Sequence, residues 1–379
     1  MVSDDLVTRM RESLAGHVQE IRAHALSLDH DPSNMEPYLD LDCFKAIRRF
    51  LIRGTAESGP EEHGISGYTF GSCLDTAVAV TEICRGDVGM MLACPGPALA
   101  GVAMRFLGDE DQREYFYRRV SDGRTWTFFA MTEPAIGSDA TALTTRLEKD
   151  GPDTYRLSGT KRYVGNGSRG DLGLVFARTS PGVLGIRAVL VEAGGPGWEA
   201  EALDMVGLRG ARLSEMRFDD VAVPADMLLG RHLPPTRRGI MGALRAFNHM
   251  RVQIASMALG VSHAIHEYVA EHEPRAVGVD VMRARLEAAE ELTFDAARAV
   301  DADPDLGHLS SAAKLRTTRL AAEVAHWSGG ALGPASFLEH PLLEKWSRDV
   351  GALEFMDGTG NIQRMHVAKA YTRGRMADV

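Results

Sequence analysis

Apolar residues recur at three- and four-residue steps at the start of the chain: Leu6, Met10, Leu14, Val18, Ile21 and Ala25. That period puts them on one stripe and predicts a helix with one face against a core. Residues 73–85 (CLDTAVAVTEICR) continue in the same style, and DEDQREYFYRRV predicts a polar-faced helix after the turn at Gly108. From Trp126 the pattern changes. Short strand-leaning runs (TYRLSGT, GLVFART, GIRAVLVE, SEMRFDDVAV) alternate with Gly, Pro and Asp clusters at strand-and-turn intervals. After Gly239 helical periodicity returns over 241–270, 279–300, 310–327 and 341–356. The pattern predicts three domains of an α+β protein: helical over 1–125, β over 126–238 and helical over 239–379. No internal repeat or low-complexity segment interrupts it.

Composition sharpens this picture without naming a function. The chain has 379 residues, 45% apolar and 25% charged, as in ordinary globular proteins. Its net charge of −10 argues against non-specific nucleic-acid binding, which needs a basic face. A local arginine cluster is still able to hold an anionic small ligand. Cys43, Cys73, Cys84 and Cys94 form no Cys-x-x-Cys pair and no zinc-finger spacing with histidines, so a disulfide framework or structural metal is not expected. The start is charged throughout, without the apolar run of a signal peptide. The uncharged stretch from Val88 to Met104 is too short, and too broken by Pro95, Pro97 and glycines, to cross a membrane. The expectation is a soluble, cytoplasmic protein with no membrane or nucleic-acid partner.

Two motif matches dissolve on inspection. Residues 165–170 (GNGSRG) fit the G-x-G-x-x-G dinucleotide fingerprint, but that fingerprint must lead from a strand into a helix. Here a strand follows, so a β-turn is expected. Ser311-x-x-Lys314 has the spacing of a nucleophile motif but lies in a helical run without the accompanying motifs, and is expected on a solvated helix face. FFAMTEPAIGSD is more informative: Thr132, Gly137 and Ser138 place hydroxyls and backbone N–H groups where a strand ends in a loop. Such groups can bond the edge of a flat heteroaromatic ring or a pyrophosphate, and an ordinary polar turn has the same composition.

TEPAIGSD, GTKRYVGNGSRGDLGLVFART, GLRGARLSEMRFDDVAVPADMLLG and RDVGALEFMDGTGNIQR together resemble the acyl-CoA dehydrogenase family in order and spacing, over nearly the whole chain. The resemblance implies an N-terminal helical domain, a middle β-barrel or sandwich domain and a C-terminal four-helix bundle. It also implies FAD held between the β domain and the C-terminal helices. In the family a carboxylate removes the α-proton of an acyl thioester while the β-hydrogen leaves as hydride to flavin N5. The base position falls on Asp357. Phe129, Met131, Thr132, Gly137 and Ser138 would line the flavin and its phosphates, with Tyr163 and Gly165 beside the isoalloxazine and Thr359 and Asn361 touching the cofactor from the C-terminal end. Ser138, Asn248, Arg251 and Gly358 would meet the substrate, the last through backbone N–H at the thioester carbonyl. A buried helix-packing role explains Arg251 equally well, and residues 88–104 suit either an acyl-pocket wall or a plain core.

The implied partners are an acyl-CoA or an acyl-carrier protein, an electron-acceptor flavoprotein or O2, and further copies of the chain as a homodimer or homotetramer. Four departures keep alternatives open. Asp357 stands where the family has Glu, shortening the reach by roughly 1.5 Å, about one C–C bond. Gly165 lacks the hydroxyl usually offered to flavin N5. The loop that reaches a neighbouring subunit's adenine is shortened to HEPRAVGVD, and His326 replaces the usual Gln before the Gly-Gly turn. A flavin oxidase or monooxygenase (a nitroalkane-oxidase-like enzyme among them) and a non-catalytic acyl-binding relative are the alternatives to a dehydrogenase.

Overall fold

The computed structural model describes residues 4–51 and 72–373. The chain divides into two compact units. One is helical and holds residues up to Met91, the segment Val206–Gly210 and residues from Asn248 onward; the other holds Leu92–Met205 and Ala211–Phe247.

In the helical unit, α1 (Asp4–His30) buries the expected stripe: Leu6, Met10, Leu14, Ile21 and Ala25 are all under 8% exposed, with Val18 half-buried. α2 (Asp42–Leu51) and α3 (Cys73–Cys84) follow. Ser72 caps α3, and the Asp301 carboxylate accepts from the backbone N–H groups of Cys73 and Leu74. These are the orphan donors that every helix start leaves. From the C-terminal part come α8 (Val279–Ala302) and α9 (Gly307–Ala331). After the short α10 (Ser336–Glu339) come α11 (Pro341–Leu353) and α12 (Gly360–Thr372), and α9 packs against α8, α11 and α12. The small residues on α9 allow this close approach: Ser310, Ser311, Ala313, Thr317 and Ala321 are all buried. α12 carries no local helix signal in the sequence; Gly360 and Asn361 at its start look like a turn, and its capping group comes from Glu354, six residues earlier.

A buried ionic network braces the same unit. Lys345 on α11 lies 2.5 Å from Asp87 and 2.6 Å from Asp349, and the Trp346 indole N–H donates to Asp87 at 3.1 Å. Leu208 N–H donates to Asp349 at 2.6 Å. Two carboxylates thus share one ammonium out of water. Burial pushes Asp349 up to about 6 despite that ammonium, and Lys345 is held above its ordinary value by the two carboxylates, which outweigh its own burial.

The second unit contains α5 (Ala98–Leu107), α6 (Glu110–Val120) and seven strands. α4 (Val88–Ala93) precedes them, so residues 88–104 form two short helices broken at Pro95–Pro97. Asp109 and Gln112 form a reciprocal capping box on α6, and the Gln112 amide also donates to Leu228 O at 3.3 Å. The strands are β1 (Thr127–Ala130), β2 (Arg146–Lys149), β3 (Thr154–Val164), β4 (Leu172–Arg178), β5 (Ile186–Glu192), β6 (Trp198–Ala202) and β7 (Ser214–Pro224). They form one curled sheet in the order β1-β4-β2-β3-β7-β6, with β5 antiparallel along the whole of β4. β4 and β5 are buried on both faces and read as continuous apolar runs, whereas β7 alternates buried and exposed positions. Phe128, Leu147, Leu157, Val175, Val189, Met216 and Phe218 form the core inside the curl. The GNGSRG glycines lie in the turn from β3 to β4, as the strand that follows them requires. α7 (Gly239–His272) runs on from this unit at Phe247. No helix among the described residues is long and apolar enough to cross a membrane.

Candidate active site

In the sheet unit, the end of β1 and the TEPAIGSD turn are fastened by one carboxylate. Glu133 accepts from Thr144 N–H at 2.8 Å and its hydroxyl at 2.7 Å, from Thr145 N–H at 2.8 Å and its hydroxyl at 2.6 Å, and from Lys161 Nζ at 3.0 Å. Lys161, fully buried on β3, also donates to Met131 O at 3.0 Å. Burial alone would raise the Glu133 carboxyl; the Thr145 hydroxyl, the Lys161 ammonium and the backbone donors outweigh it and bring the value down to about 2. Burial draws Lys161 down to about 8 against the pull of Glu133. Glu133 and Ile136 exchange backbone hydrogen bonds and close the turn.

This bracing sets out the residues named from the sequence. Arg162 N–H donates to Thr132 O at 2.8 Å, so Thr132 lies beside the end of β3 that carries Tyr163. Tyr163 is 54% exposed with φ of +60°, and the Arg162 guanidinium lies 5.4 Å from its ring centre. Gly137 and Ser138 are exposed, and a Cβ built on Gly137 meets nothing within 4 Å. A Cβ on Gly165 meets only Leu213, at 3.9 Å. Phe129 is half-buried, its ring tilted on Phe176 at 5.2 Å and edge-on to Phe247 at 6.0 Å. Met131 is buried.

In the helical unit, Asp357 sits in a tight turn between α11 and α12. Its φ is +50° and that of Gly358 is +92°, two successive left-handed residues. Part of the residue is exposed, but Oδ2 is sealed from solvent without a hydrogen-bond partner. Burial pushes its pKa up, opposed by the nearby Lys314 and Arg251 cations. Arg251 on α7 is buried and donates to Asn248 Oδ1 at 2.9 Å, while the Asn248 amide holds Pro304 O at 2.8 Å. Burial lowers Arg251 to about 10, resisted by Asp357. Asn248 and Arg251 therefore stand together, and Arg251 stands near Asp357. Thr359 is the N-cap residue of α12 without a side-chain cap bond, and Asn361 accepts from Arg364 at 2.8 Å.

Several residues of this cluster were invisible in the sequence. Lys314, expected on a solvated face, is fully buried, as is Ser311. The polar Ser-Thr-Lys side of α9 faces inward because its hydroxyls bond the preceding turn, as Thr317 and Thr318 do to Ala313 O and Lys314 O. Glu354 caps α12 through Gly360 N–H at 2.7 Å, and Gln363 donates to Asp357 O at 3.1 Å and Gly358 O at 2.8 Å. His366 lies 3.3 Å from the Ser311 hydroxyl, and burial with the Arg251 and Lys369 charges brings it down to about 4.

Residues 128–221 match the model "Acyl-CoA dehydrogenase, middle domain" and residues 279–372 match "Acyl-CoA dehydrogenase, C-terminal domain". An acyl-CoA dehydrogenase of Bacillus subtilis is 29% identical over 330 residues, 82% of this chain and 84% of that protein. Among solved structures, a glutaryl-CoA dehydrogenase from Mycobacterium smegmatis in complex with FADH2 superposes with a TM-score of 0.81 at 22% identity, covering 98% of this chain and 95% of that one. The prolyl acyl carrier protein oxidase AnaB superposes with a TM-score of 0.81 at 23% identity, covering 97% and 99%. These two structures share the fold. With its helical ends, its middle curled sheet and both family domains in order, the chain belongs to the acyl-CoA dehydrogenase family.

Proposed function

We propose that this protein is an FAD-dependent dehydrogenase of acyl thioesters in which Asp357 is the base. The observation that carries the reading is the Asp357 carboxylate: its Oδ2 is out of water with no bond to give up before accepting a proton, at the position where the family resemblance implies the base. A thioester α-C–H is a weak acid, so the base must be drawn up from the ordinary carboxylate range, and burial does this. The neighbouring Lys314 and Arg251 cations oppose that rise. Gly358 N–H would donate to the thioester carbonyl and stabilise the negative charge that develops as the proton leaves.

The sheet unit fits a flat polycyclic ligand. Tyr163 offers an exposed ring, Gly137 and Gly165 leave open space, and Thr132 and Ser138 add hydroxyls on a backbone that the Glu133–Lys161 pair keeps from shifting. FAD, when bound, supplies the hydride acceptor. Thr132, Gly137, Ser138, Tyr163 and Gly165 would hold it in this unit, with Met131 behind them. Phe129, half-buried beside Phe176 and Phe247, would line it as well. Asn248 and Arg251 would orient the substrate.

A second reading is favoured by the short base, the missing hydroxyl at Gly165 and the likeness to AnaB: a carrier-protein-bound acyl group, with O2 as acceptor in place of an electron-transferring flavoprotein. One experiment separates these readings. The protein is loaded with FAD and mixed anaerobically with matched acyl-CoA and acyl-carrier-protein panels, then admitted to air. Loss of flavin absorbance without oxygen supports dehydrogenation, and rapid peroxide release in air selects the oxidase. Protein that stays colourless with excess FAD sinks both.

A further inference from the structure

We propose that Lys314 is the positioning residue of the Asp357 base: it fastens the backbone that carries the carboxylate and places a buried cation beside it. This rests on the reading of Asp357 as the base.

Lys314 lies at the middle of α9, fully buried, and Nζ donates to Gly358 O at 2.6 Å and Glu354 O at 3.1 Å. These carbonyls bracket the turn that presents Asp357. Gly358 O also receives the Gln363 amide, and the Glu354 carboxylate receives Gly360 N–H and the Thr318 hydroxyl. The left-handed turn is therefore held from α9 and α12 at once, where a free turn would relax towards commoner backbone angles. For fastening alone a neutral donor would serve, since an ammonium out of water carries a desolvation penalty. The charge has a use only if something nearby is negative. Around it stand Asp357 and Glu354, with Arg251 as a like charge. Glu354 is already engaged at the start of α12. Around Asp357 stand Lys314 from α9 and Arg251 from α7, while His366 on α12, drawn down to about 4, is neutral above that pH and Lys369 acts on it rather than on Asp357. Lys314 is thus the cation whose hydrogen bonds are committed to main chain and not to substrate. With an aspartate in place of a longer glutamate, the turn itself must set where the carboxylate stands.

The test uses the FAD-loaded full chain labelled with ¹³C at aspartate side-chain carboxyls, with Asp357→Asn assigning the Asp357 resonance. Lys314→Gln keeps a donor without the charge, Lys314→Met removes both, and circular dichroism checks that each is folded. We expect the Asp357 titration midpoint to rise by about one pH unit in Lys314→Gln, in the direction that losing a nearby cation requires. The rate of anaerobic bleaching should then fall about tenfold at a pH below that midpoint and recover as pH is raised through it. In Lys314→Met the rate should stay low even at high pH, because the turn is also released. An unchanged Asp357 midpoint in Lys314→Gln overturns the proposal, and if Lys314→Met does not fold, Lys314→Gln carries the same decision. Should Asp357→Asn still bleach, the base assignment fails on its own, and the resonance still reports whether Lys314 sets the Asp357 charge.

Discussion

Replacing Glu133 by glutamine removes one charge and no bulk from the TEPAIGSD turn. Its five donors divide as Thr144 N–H and hydroxyl on Oε2, and Thr145 N–H, its hydroxyl and Lys161 on Oε1. The less costly orientation turns the new NH2 towards Thr144. That hydroxyl can rotate to accept, but Thr144 N–H then faces a donor, at about 1–3 kcal/mol. Lys161 keeps an amide oxygen and loses its counter-charge; a buried pair broken on one side costs about 3–5 kcal/mol, and the retained bond puts this variant at the lower end. The lowered Glu133 carboxyl gives a second figure. A fall from the ordinary 4.5 to about 2 corresponds to about 3.5 kcal/mol at roughly 1.4 kcal/mol per pH unit. Together the two routes predict a loss of about 3–5 kcal/mol in the sheet unit at neutral pH. Urea unfolding, read by tryptophan fluorescence and by hydrogen exchange in peptides covering β1 and β3, measures it. A folded pKa below the unfolded one gives stability that is present above pH 4.5 and drains away as pH falls towards 2. The gap between wild type and Glu133→Gln should therefore close across that window. A variant within about 0.5 kcal/mol of wild type at pH 7, the scatter of ordinary surface changes, refutes the reasoning.

Two further predictions separate folding from binding. Gly137→Ala should melt like wild type, since its Cβ enters open space, yet retain FAD about tenfold more weakly in equilibrium dialysis, equal to about 1.4 kcal/mol; unchanged retention would remove Gly137 from the cofactor wall. Lys345→Met leaves Asp87 and Asp349 facing each other without their ammonium, and should destabilise the helical unit by about 3–5 kcal/mol. Urea unfolding checks this, and a stabilised variant would mean that the pair ionises little.

What could be read in the sequence follows from range. The α1 stripe and the alternation along β7 are local periods, and both elements fold with those residues buried. β1 is read as the strand that ends at the TEPAIGSD loop, whereas β2 and β6 escape notice because four or five residues cannot establish a period of two, and they are strands by virtue of their neighbours. Asp357 and the TEPAIGSD turn were legible through their likeness to a family's motifs. What surrounds them was not: Lys314 reaches a carbonyl 44 residues away and Lys161 a carboxylate 28 residues away. No window of sequence shows that a lysine flanked by serine and threonine points inward.

If the Asp357 carboxylate takes the substrate's proton, its removal must slow reduction of the flavin. The most direct measurement is anaerobic stopped-flow bleaching of FAD-loaded wild type and Asp357→Asn by the best acyl thioester of the panel. The variant should keep its FAD spectrum and bleach at least about 10³-fold more slowly, as expected when a positioned base is removed. Bleaching at the wild-type rate, with the cofactor bound equally well, would contradict that role for Asp357.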